Sequence, residues 1–87
     1  MLNVIYTKDF YKSLKKKDKF IQNKARERIK LFREDPFNFL LKNHVLTGEH
    51  KNERSFNVTG DYRIIFYYVD ENTVCFTDMG THPELYE

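Results

Sequence analysis

Apolar side chains recur along this chain with two different periods, and the change of period divides it. At the start, Leu2, Val4 and Tyr6 alternate with Asn3 and Ile5, which predicts a short strand. Thr7 is placed to cap a helix whose apolar pair Phe10/Leu14 falls at i, i+4. Lys15–Lys17 mark a tight corner, with Asp18 as the next cap. Ile21, Ala25, Ile29 and Phe32 then recur at helical spacing. Asp35-Pro36 ends that run, because a residue before proline avoids helical backbone. Two antiparallel helices sharing one apolar seam are expected.

From Arg54 the period is two. Phe56 and Val58 alternate with Ser55, Asn57 and Thr59, Gly60-Asp61 makes a turn, and YRIIFYYV (62–69) reads as a strand. Asp70-Glu71-Asn72 is a second turn and TVCFTDM (73–79) a third strand. This meander, joined by the first strand, predicts an α+β fold: two helices on one face of a mostly antiparallel four-stranded sheet, with the other face uncovered. A three-residue loop at 59–61, with Gly60 supplying a positive φ, sets Phe56 opposite Ile64 and Asn57 opposite Arg63. Phe56, Val58, Ile64 and Phe66 then face the helices, and Asn57 and Arg63 project together from the open face. A slip of one residue would bury Arg63, which disfavours it. The 42–53 connection has no periodicity to place it.

Composition narrows the class. A chain of 87 residues is expected to form one domain, 1–87, around a modest core to which eight Phe and six Tyr supply apolar area. Two Pro, three Gly and 32% charged residues argue against disorder. No apolar run approaches the roughly 20 residues that span a bilayer, and MLNVIY is too short for the apolar part of a signal peptide. Cys75 is the lone cysteine, which excludes an internal disulfide and a thiolate metal cluster. A soluble, cytoplasmic chain with no membrane partner is the expectation. Its charge is lopsided: residues 1–34 hold eleven Lys and Arg against four Asp and Glu, a net +7, so the remainder carries −5 of the overall +2. A basic half suits a polyanion or an acidic partner.

Arg63 is the sharpest single residue, a guanidinium inside the most apolar strand: either a snorkelling or cross-strand paired arginine, or a fixed fork aimed at a phosphate. His82 and Tyr86 share one side of the chain end if Pro83 opens a last helical turn. His44 lies in the polar connection, His50 reads as solvent-facing, and Asp61 is a turn-former or an acid/base group at the rim. His44, His50, His82 and Asp61 could offer metal ligands, but no pair has a local metal-binding spacing, so no metal and no cofactor is expected. Together Arg63, Asn57, Asp61, His44, His82 and Tyr86, with Lys51 and Arg54 nearby, are what metal-free RNA cleavage requires. There the ribose 2′-hydroxyl attacks its own 3′-phosphate, a base takes its proton, a cation stabilises the pentacovalent transition state, and an acid protonates the leaving 5′-oxygen.

The stretch RSFNVTGDYRIIFYYVDENTVCFTDMGTHPELY resembles the RelE superfamily of bacterial toxin–antitoxin modules, in particular the YafQ-like and RelE/StbE branch of mRNA interferases. Three motifs carry the likeness: His44-x-Leu46-x-Gly48, the strand start Gly60-Asp61-Tyr62-Arg63-Ile64-Ile65-Phe66, and Gly80-Thr81-His82-x-x-Leu85-Tyr86. The resemblance implies a RelE-like fold and His44, Asp61 and His82 as acid/base candidates. It implies Arg63 as the phosphate-stabilising arginine and Tyr86 as the aromatic that orients the substrate. Lys51, Arg54 and Asn57 are the expected substrate contacts. The chain departs from that branch at Asn57, where the branch has a histidine, and Asn does not shuttle protons near neutral pH. The resemblance further implies cleavage of mRNA in the ribosomal A site, ribosomal RNA held by the basic half, and neutralisation by a small antitoxin. A ParE-like member of the same superfamily, which inhibits DNA gyrase and needs no His/Arg/Tyr cluster, is the alternative; an inactive homologue that only binds antitoxin is a third.

Overall fold

The computed structural model describes residues 1–48 and 52–86. Strand β1 (Asn3–Tyr6) runs into α1 (Lys8–Lys15) and α2 (Lys19–Glu34). A 3₁₀ turn (Phe39–Leu41) leads to β2 (His44–Val45), followed by β3 (Arg54–Asn57), β4 (Tyr62–Asp70), β5 (Thr73–Thr81) and α3 (His82–Tyr86). The caps stand where the pattern put them. Thr7 Oγ1 accepts from Phe10 N at 3.1 Å and donates to the Phe76 carbonyl at 2.8 Å, so it starts α1 and pins it to β5. Asp18 Oδ1 accepts from Ile21 N at 2.9 Å and starts α2. Asp35, before Pro36, leaves the helical region with φ −149°.

The strands form one sheet in the order β1-β5-β4-β3-β2, with β1 parallel to β5 and the other pairs antiparallel. Phe56 stands opposite Ile64 and Asn57 opposite Arg63, the expected register. Phe10, Phe32, Phe56, Phe66 and Phe76 are all fully buried between the helices and the sheet. Phe32 stacks on Phe56 at 4.4 Å between centroids, with the rings 11° from parallel. Ile21, Ala25, Ile29, Ile64, Val74 and Met79 complete this cluster. Burying an apolar side chain of this size stabilises the fold by about 1.5–3 kcal/mol, so this face carries most of the stability.

Three expectations need correction. The sheet has five strands, because the 42–53 connection, which showed no periodicity, adds the two-residue edge strand β2; two residues are too few to display a period. Gly60 is not in the left-handed region: positive φ among the described glycines is confined to Gly48. The Thr59 hydroxyl builds the 59–61 loop instead, accepting from Asp61 N at 3.3 Å and Tyr62 N at 3.2 Å, while Val58 N donates to the Tyr62 carbonyl. The face away from the helices is also less bare than expected. Ser55, Ile65, Cys75 and Leu46 are buried yet lie outside the helix-side cluster. Ile5 and Tyr67, which pair with Cys75, stay exposed, as does the end of that face near α3.

Candidate active site

Arg63 projects from β4 at this end. It pairs with Gly80 of β5, one residue before the strand gives way to α3. Pro83 supplies the fixed φ that suits a first helical turn, and the i, i+4 spacing of α3 then brings His82 against Tyr86. Their ring centroids are 4.5 Å apart at 60°, an edge-on contact. From the other side comes His44 on β2.

Local chemistry sets His44. Asn38 Oδ1 accepts from Leu40 N at 3.0 Å and caps the 3₁₀ turn, and Asn43 Nδ2 donates to the Pro36 carbonyl at 2.8 Å. Lys42 between them takes the left-handed conformation, φ 49° and ψ 45°. That conformation is uncommon for a residue with a side chain. It turns the Lys42 carbonyl toward His44, whose Nδ1 donates to it at 2.8 Å. A carbonyl only accepts, so in neutral His44 the proton sits on Nδ1 and Nε2 carries the lone pair. The fully buried Ser55 hydroxyl lies 3.4 Å from that Nε2.

His44, Arg63, His82 and Tyr86 line one cavity of about 180 Å³, together with Leu46 and Thr47. A second cavity of about 420 Å³ adjoins it and is lined by Asp61, Tyr62, Thr81 and Pro83, with Arg63 and His82 forming the wall common to both. Arg63 is half-buried, its Nε is shielded from solvent, and among the described residues no hydrogen-bond partner meets it. Arg28 Nη1 on α2 is in the same condition but lines neither cavity. A buried donor without an acceptor is costly, and it is tolerated here beside a cavity that an anion would fill. A larger cavity, about 490 Å³ between α1 and α2, is lined by Met1, Tyr6, Tyr11, Arg26, Lys30 and Arg33 among others and contains no histidine. Size alone therefore selects a different place from the chemistry, and the chemistry is the better guide to proton transfer.

The remaining candidates divide. Asn57 faces Arg63 across the β3–β4 pair but lines neither cavity. Arg54 is turned away: side chains alternate, so it shares a side with Phe56 and not with Asn57. Its Nε donates to Asn43 Oδ1 at 2.9 Å and its guanidinium lies 5.4 Å from the Phe37 ring centre. Lys51 and His50 lie outside the described residues. Sequence reasoning missed Thr47 and Glu84. Thr47 gave no signal, but Thr81-His82-Pro83-Glu84 is an S/T-x-x-E capping box and was legible. No group of three or more His, Cys, Asp or Glu among the described residues is arranged to hold a metal ion.

A helical hairpin on a five-stranded mixed sheet, closed by a short helix after the last strand, defines the class as a RelE-like fold. The chain belongs to the YafQ family: the model described as "Bacterial toxin of type II toxin-antitoxin system, YafQ" matches residues 2–87. Among solved structures, YafQ from E. coli strain BL21(DE3) superposes with a TM-score of 0.82 at 23% identity, covering 100% of both chains. The toxin in the E. coli DinJ–YafQ toxin–antitoxin complex gives 0.77 at 25% identity, covering 99% of this chain and 98% of that one. The YoeB/ParE toxin from Agrobacterium tumefaciens gives 0.75 at 17%, covering 93% and 99%, a likeness of fold. No curated protein matches this chain by sequence. The chain is thus a toxin of a type II toxin–antitoxin system. Among the described residues, no helix is long and apolar enough to cross a membrane.

Proposed function

We propose that this toxin is a ribosome-dependent endoribonuclease of the cytoplasm that cleaves mRNA by attack of the ribose 2′-hydroxyl on the adjacent phosphate. The observation that carries this reading is Arg63, a half-buried cation with an unmet Nε in a cavity walled by His44, His82 and Tyr86. The scissile phosphate sits against Arg63. His44 Nε2, the nitrogen with the lone pair, takes the 2′-hydroxyl proton. The new O2′–P bond forms, the P–O5′ bond breaks, and His82 in its protonated form delivers a proton to the departing 5′-oxygen. The products are a 2′,3′-cyclic phosphate and a free 5′-hydroxyl. Asp61, at the far wall of the larger cavity, is a further acid/base group, and the Tyr86 ring orients the nucleotide. The nucleophile belongs to the substrate, so the step calls for no cofactor. A preorganised guanidinium that strengthens its bonds as charge develops is worth about 10²–10³ in rate.

The partners follow from charge and family. The basic helices suit ribosomal RNA backbone, with affinity falling as salt rises. A cognate antitoxin is expected, as in the DinJ–YafQ complex. The groove between α1 and α2, apolar at Tyr6, Phe10 and Leu14 and cationic at Arg26, Lys30 and Arg33, suits an acidic amphipathic segment of it.

The test is translation-coupled cleavage mapped by primer extension with wild type, Arg63→Ala and His82→Ala. Cuts by wild type that fade in both variants support the reading. Undiminished cutting in both would remove the site assignment, and intact mRNA with inhibited DNA supercoiling would replace the ribonuclease reading by a gyrase one.

A further inference from the structure

Helix α3 brings two of the cavity's side chains, yet five residues are too few to hold a helix by their own hydrogen bonds. Glu84 supplies what is missing. Its Oε1 accepts from Thr81 N at 2.7 Å, and its own N donates to Thr81 Oγ1 at 3.4 Å, the reciprocal pattern of a capping box. Both Glu84 carboxylate oxygens lie 3.4 Å from Lys17 Nζ. These contacts, Thr81 first and Lys17 after it, hold the Glu84 carboxyl below its usual value.

Lys17 stands at the corner between α1 and α2 and is itself anchored. Its N donates to the Leu14 carbonyl at 3.1 Å, and its carbonyl accepts from Gln22 Nε2 at 2.9 Å. Its side chain is only 11% exposed, whereas Lys15 and Lys16 are exposed. Its ammonium also lies 5.4 Å from the Tyr62 ring centre, and Tyr62 pairs with Thr81 across β4 and β5. Beneath α3 the backbone makes room at Gly80, the partner of Arg63. A Cβ there would come within 3.1 Å of Glu84 Oε1 and 3.2 Å of Glu84 Cβ. Glu84 therefore rests on the strand segment opposite Arg63 while reaching the helical corner.

We propose that Lys17 and Glu84 are positioning residues: their ion pair ties the α1–α2 corner to α3 and sets where His82 and Tyr86 stand relative to Arg63. The kinetic consequence rests on the ribonuclease reading; the geometric one does not. One member of the basic triplet thus serves the site from behind, without touching substrate. An ion pair with one half-exposed partner adds little to global stability, so its effect belongs to the placement of α3.

The experiment uses the full chain with Lys17→Met, Glu84→Gln and the double variant. Glu84→Gln keeps the cap, because the amide oxygen it introduces still accepts from Thr81 N. Two quantities are measured: the kcat and KM of translation-coupled cleavage, and the NMR shifts of the His82 ring in the free protein. Each single variant should lower kcat about two- to fivefold with KM unchanged, the size expected of a pair with one half-exposed partner. The double should lose no more than either single, His82 should move alike in all three, and the thermal midpoint should shift by less than about 4 °C. Additive losses would overturn the proposal. So would a loss confined to Lys17→Met with a raised KM, which would make Lys17 a phosphate contact, or a His82 ring that does not move. If wild type cleaves no RNA, the ribonuclease reading falls, while the His82 shifts still decide the tie.

Discussion

The two faces of the sheet handle their side chains in opposite ways. On the helix side, five phenylalanines are fully sequestered and ring meets ring from 4.4 Å upward. On the other side, the end near α3 keeps a guanidinium with an unmet donor, two exposed histidines and open space. The first face is filled by its own side chains, and the second leaves a buried donor facing open space. Stability and activity should therefore separate cleanly by face, and mutations test that separation.

The largest effect should fall on the aromatic side. Phe56→Ala removes a ring stacked on Phe32 and in contact with Phe66 and Phe76, and should destabilise by about 3–5 kcal/mol in urea unfolding. Whatever protein remains folded should keep its activity per molecule. A slightly smaller effect of opposite kind belongs to Arg63→Ala, which should lose about 10²–10³ in cleavage rate while its unfolding midpoint stays or rises. Arg63→Lys should recover little, because a point charge does not replace the fork. A midpoint that falls steeply for Arg63→Ala would break the contrast between the faces.

Smaller again is Thr7→Ala. It removes the α1 cap and the bond to the Phe76 carbonyl, at a cost of about 1–2 kcal/mol read by thermal unfolding, with no change in cleavage at permissive temperature. The smallest effect concerns pH. Glu84 has a folded-state pKa below its ordinary 4.5, so the unfolded chain takes up the proton first on acidification. Its stabilisation is present above about 4.5 and is lost as pH falls through the lower folded value. Glu84→Gln should flatten that acid limb slightly, and an unchanged limb would say the carboxylate is not held as described.

The two faces were also unequally legible. Phe10, Ile21, Ala25, Ile29 and Phe32 could be placed in the core from spacing alone, and Thr7 and Asp18 could be named as caps, because those signals are local. The meander register was legible for the same reason: alternation and a three-residue loop leave Arg63 one side to occupy. Gly60 misled, since a glycine in a turn suggests a positive φ that the Thr59 hydroxyl makes unnecessary. His44 and His82 could be named as candidates but not brought together, because 38 positions separate them and nothing local encodes their approach.

Composition and period by themselves determined the helices, the meander, the inward residues and the lone arginine within an apolar strand. These depend on interactions a few residues apart or on strict alternation. Only the tertiary structure decided that His44 meets His82 at one cavity and that Glu84 reaches Lys17 across 67 positions. Those contacts join segments whose meeting depends on how the whole chain closes over its core, and no window of sequence contains both partners.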